Sequence, residues 1–177
     1  LVSFCENAVL KKLPVLKQSK QIIANLYKNK SEEVQKLAVL SSAQWGMKEY
    51  KDQVLNSLLN PKTDKSFKLK LFAVAGKVLS SEDLDNLKPL LSNNSNALRR
   101  ASVHLIKNLD ETRGIESLFK VIPVTKDKKE LLKLLQPFTE NEKSAKNLTV
   151  KVSGSSLSKS DAKHVHSILL GSGYKGS

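Results

Sequence analysis

His164 and His166 lie two residues apart, the nearest approach to a metal-ligating pair in this sequence. On a helix that spacing sends the two rings to different faces, and only on a strand would they share one. The segment around them reads as helix, so no metal site is expected. His104 reads as a residue at the edge of a helix's inner face. The single cysteine, Cys5, excludes an internal disulfide framework and a four-cysteine zinc site, and reads as a small core hydrophobe. There is no glycine-rich phosphate loop, no pair of carboxylates in an apolar setting and no cysteine–histidine pair at a useful spacing. Neither enzymatic chemistry nor a cofactor is therefore expected. What remains is binding chemistry, and its sharpest feature is Arg99–Arg100. Lys70 matches Arg99 by position in a sequence repeat, and Lys68, Lys77 and Lys107 lie on the same two segments. Together these six form a candidate basic ridge for a partner. The competing reading has Arg99 tying its own helix to the adjacent one.

The segments that must position these residues carry the repeat. Leu98, Ala101, Ser102 and Leu105 have helical spacing, with small residues where a neighbouring helix comes close. The same frame is read at Val34, Leu37, Ala38 and Ser41, and again at Leu69, Phe72, Ala73 and Gly76. A second frame, Leu55, Leu87 and Leu118, recurs every 31 or 32 residues. A period of this size means stacked helix pairs, each completing its apolar face against the next.

In order, helices are expected around Pro14 on both sides, then from Ser31 to Trp45 with Gly46 as the stop, and from Glu49 to Leu59. Further helices run from Ser66 to Leu79, from Ser81 with a break at Pro89, from Ser95 to Leu109, from Thr112 to Ile122 and from Asp127 to Leu135. Leu148, Val150 and Val152 alternate, so Asn147–Ser153 reads as a short strand, followed by a last helix to Leu170 and a glycine- and serine-rich end. This gives a helical repeat domain over residues 1–140 and a strand-plus-helix appendage over 141–177.

The 177 residues are ordinary in apolar content, but 30 Lys and Arg against 17 Asp and Glu leave a formal charge of +13. Such a surplus attracts nucleic acid, anionic lipid or acidic protein, although much of it is lysine scattered as a solubilising coat. The first 30 residues are the most basic, with six lysines against Glu6. The start at Leu1 rather than Met suggests a processed form or a piece of a longer protein. No membrane span is expected, and lone-cysteine usage points to an intracellular compartment, cytoplasmic or nuclear.

With Val34-Gln35, Leu69-Lys70 and Leu98-Arg99 each followed by a small inward residue, the second helices of the pairs resemble those of HEAT repeats over roughly residues 31–135. The resemblance implies an all-α fold, an α-solenoid of antiparallel helix pairs whose second helices line a concave face used to hold a macromolecule. It implies no chemistry. The function expected is a non-enzymatic scaffold binding a protein on that face, as a segment of a larger protein. The alternative is sequence-independent binding of a nucleic-acid backbone through a basic groove. Some HEAT-like enzymes acting on damaged DNA use aromatic residues in a basic concavity, and Trp45 near Lys36 and Lys48 could be read that way; core or edge packing is the simpler account.

Overall fold

In the computed structural model, which describes residues 18–171, the chain is all-α, with no strand among the described residues. The helices are α1 (Ser19–Tyr27), α2 (Glu32–Gln44), α3 (Lys51–Leu59), α4 (Lys65–Ala75), α5 (Leu84–Leu87), α6 (Asn96–Leu109), α7 (Glu111–Val121), α8 (Lys128–Leu135), α9 (Glu142–Ser153) and α10 (Lys159–Gly171). The helix break at Pro14, the role of Cys5 and the glycine- and serine-rich end lie outside the described residues. Pro89 acts as anticipated. It lacks an amide hydrogen to continue the helical ladder, so α5 stops after one turn and Lys88–Ser92 continues as a 3-10 segment.

A cap marks the start of every second helix. Asp64 accepts the Phe67 amide at 2.8 Å, Asp127 accepts the Lys129 amide at 2.7 Å, and the Ser158 hydroxyl accepts the Asp161 amide at 3.1 Å. Ser31 and Ser95 hold the same place, and there the preceding turn does the work. The Ser31 and Ser95 amides each donate at 2.9 Å to the side-chain oxygen of the asparagine two residues earlier, Asn29 and Asn93. These five caps are 33, 31, 32 and 31 residues apart. Counted from each cap, the seventh and eleventh residues are buried in all five cases: Ala38 and Ser42, Leu71 and Ala75, Ser102 and Ile106, Leu134 and Phe138 (in the 3-10 segment after α8), Val165 and Leu169.

This alignment corrects the middle frame. Asp64, not Ser66, caps α4, and the Ser66 hydroxyl is itself bound to Asp64 Oδ1 at 2.9 Å. The frame through Leu69, Phe72, Ala73 and Gly76 is therefore slipped by two residues, and Ala73 and Gly76 are exposed. Lys68, rather than Lys70, is the counterpart of Arg99.

The expected strand at Asn147–Ser153 is also corrected, because these residues are helical in α9. Three alternating residues are too few to separate the two periods: Ala145, Leu148 and Val152 share one helical face, and Val150, the residue that strand pairing needed, is 66% exposed. Asn141 starts the helix by accepting the Ser144 amide at 2.9 Å.

The chain divides into two compact units, Leu1–Asn86 and Leu87–Ser177. In the first, α2 packs on α1, α3 and α4, so the two second helices touch. Tyr27 stacks on Tyr50 with ring centroids 4.7 Å apart, its hydroxyl lies 3.1 Å from Ser42 Oγ, and burial pushes its phenol up to about 12. Gly46 ends α2 at φ +65, a conformation that a side chain resists. In the second unit α6 packs on α7 and α8, again bringing two second helices together. Asp110 alone joins α6 to α7, closing the first and capping the second through the Arg113 amide. The two helices approach so closely at Gly114 that a Cβ there would lie 2.5 Å from Lys107 Cα.

Candidate functional site

The six residues of the expected ridge have different fates. In the first unit Lys68 is 4% exposed on α4, and burial pulls its pKa below the ordinary lysine value. Lys70 and Lys77 are exposed, and the Lys77 ammonium donates to the Gln44 carbonyl at 2.9 Å, tying the end of α4 to the end of α2. In the second unit Arg99 is buried and bound to its own fold. Nη1 donates to the Asn93 carbonyl at 2.6 Å, and Nη2 donates to Asn96 Oδ1 and, at 3.4 Å, to the Val124 carbonyl in the turn before α8. Arg100 pairs with Glu130, and the Lys107 ammonium sits 6.0 Å from the centre of the Phe138 ring. The ridge is thus largely consumed by the fold, and Lys70 is the member that stands out into solvent.

Two of these roles recur by position. At the fourth residue from the cap, Gln35 and Arg99 each reach back to a main-chain carbonyl six residues earlier, Gln35 Nε2 to Asn29 at 2.8 Å and Arg99 to Asn93. At the fifth, a base faces the acidic start of the next second helix: Lys36, held by Glu32 of its own helix at 2.9 Å, lies 4.0 Å from Asp64, and Arg100 pairs with Glu130. Glu130 is also met by Lys133 at 2.9 Å. These are latches between successive helices, built from the residue types that sequence reading assigned to a ligand. The legible signal was the pair Lys36–Arg100, 64 residues apart, each with an acid near the next cap.

Sequence reasoning missed a cleft in the second unit. It lies between α8 and α10, about 450 Å³ in volume, with Leu132 and Ile168 on its walls and Lys128 and Lys133 on its border. The fifth residue from the α8 cap is Leu132, which cannot latch as Lys36 and Arg100 do; it is 45% exposed, and α8 and α10 share little direct packing. Asp161, near the α10 cap, takes the Ser158 hydroxyl at 2.8 Å instead.

His104 is largely buried beside α8. Its Nε2 lies 3.2 Å from the Leu134 carbonyl, which can only accept, so the ring nitrogen carries the hydrogen. Burial pulls its pKa down, opposed by that hydrogen bond and reinforced by the Arg100 charge. His164 and His166 are exposed on α10, and no group of three or more metal-ligating side chains occurs among the described residues. Trp45 closes α2 half-buried, packed against the core of the first unit. No helix of the described residues is long and apolar enough to cross a membrane.

Compared with protein-family profiles, with curated proteins and with solved structures, the chain has no match in any of the three.

Proposed function

We propose that this chain is a non-enzymatic interaction scaffold, a HEAT-like α-solenoid that holds a protein partner on the side lined by its second helices. The observation that carries this reading is the packing of second helix on second helix in each unit, α2 on α4 and α6 on α8, with a charged latch at the same position in both. A repeat array is built from such rank-to-rank contacts, each pair completing its apolar face against the next. The lysine surplus favours a partner with acidic character. The nucleic-acid reading is the weaker one. Arg99 and Arg100, the groups best suited to phosphate, already have partners within the fold, which leaves dispersed lysines.

Photoreactive residues placed at exposed positions of second helices (Lys70, Lys129) and of first helices (Asn56, Glu116) test this in cells. Protein adducts concentrated on the second helices are expected. Adducts mainly on first helices would overturn the reading, and nucleic-acid adducts at Lys70 and Lys129 would put the backbone-binding alternative in its place.

A further inference from the structure

We infer that the cleft between α8 and α10 is a docking site for an amphipathic helical segment of a partner protein, apolar on one face and acidic at its flanks. The proposal rests on the scaffold reading for its class of partner and adds the place and the chemistry. Where second helices are latched, base to acid, they pack directly; at α8 the latching position holds Leu132 and the space stays open. A groove between two helices is the shape into which the side-chain ridge of a third helix fits, and Leu132 and Ile168 offer it apolar walls.

Charge selects the occupant. Lys128 and Lys133 border the cleft and none of the described carboxylates lines it, while the nearby Glu130 is engaged by Arg100 and Lys133. A second copy of a chain carrying +13 would meet its own charge there, which disfavours self-association. A nucleic-acid strand would find leucine and isoleucine where it needs aromatic platforms or guanidinium groups.

The test uses the full chain and a fluorescently labelled synthetic helix of about four turns, with leucines on one face and glutamates flanking them. Two control peptides carry lysines in place of the glutamates, or the same composition in scrambled order. Saturable binding of the acidic amphipathic peptide is expected, with each control at least about tenfold weaker. Leu132→Glu and Lys128→Glu should each weaken binding by a similar factor. Leu132 is already half exposed, and Lys128→Glu adds an acid to the first turn of α8, so both variants should fold, as circular dichroism would verify. Equal binding of all three peptides, or indifference to both substitutions, would overturn the proposal. So would a concentration-dependent dimer in sedimentation that Leu132→Glu dissolves, since the cleft would then belong to a second copy. Failure here alongside second-helix cross-links would remove the cleft and leave the scaffold; peptide binding with cross-links confined to first helices would do the reverse.

Discussion

The two units pack alternate helices together, α2 on α4 and α6 on α8, with different materials. Up to Asn86 the second helix α2 presents small residues, Ala38, Ser41, Ser42 and Ala43, and polar ties hold its neighbours: Tyr27 to Ser42, Lys77 to the Gln44 carbonyl, and Lys51 to the buried Asp83 at 2.9 Å. From Leu87 onward the second helix α6 buries larger side chains, Leu98, Val103, Leu105 and Ile106, and the following helix α7 comes in close at Gly114. The first arrangement spreads its stability over several replaceable bonds. The second has polar ties too, at Arg99 and Arg100, and adds one position, Gly114, where no side chain fits.

The largest difference should appear at the glycines. Gly114→Ala forces the α7 backbone away from Lys107 and is expected to cost on the order of 3 kcal/mol, whereas Gly46→Ala must only adopt a left-handed conformation, at about 1 kcal/mol. Denaturant unfolding of both variants would measure this, and equal losses would remove the contrast between the units. Next come the counterparts Arg99 and Lys68. Arg99→Met strands the Asn93 and Val124 carbonyls and should cost about 2 kcal/mol. Lys68→Met removes a desolvated ammonium and should be neutral or stabilising on the same assay.

A smaller effect concerns pH. Because the folded pKa of His104 is lowered, the unfolded chain takes up a proton below about 6.5 that the folded chain refuses. Stability should therefore fall as pH drops from 7 through this window, before the carboxylates Asp64 and Asp83, whose pKa values are also lowered, begin to count. His104→Gln keeps a hydrogen-bond donor toward Leu134 and should flatten that slope in melts taken at closely spaced pH values. Smallest of all is Ala73→Leu. On the frame read from sequence it would overpack the stack; on the exposed face where Ala73 lies, it should change stability by less than about 0.5 kcal/mol. A large loss would restore the frame that runs through Ala73 and Gly76.

Helix boundaries were legible where they are written in residues with one meaning: Gly46 stops α2, Pro89 stops α5, and Ser31, Ser95 and Asp127 stand at caps. The register of α4 was obscured because Ser66 is as good a cap as Asp64, and only the hydrogen bonds decide between them. The α9 error came from a pattern too short to carry a period. The ridge was illegible for a deeper reason: an arginine that will hold a ligand and one that will hold its own fold look alike until their acceptors are known. Nor does a leucine reveal that its neighbour has stood away from it, as at Leu132.

The single residue between α6 and α7 has a consequence in time. With Asp110 alone as the connection, these helices have almost no loop to close, and their contacts are local in sequence. The hairpin is expected to form first and to template the helices that pack on it, so in pulse-labelled hydrogen exchange its amides should gain protection ahead of those in α10. Protection arriving everywhere at once would mean that the chain has no such seed.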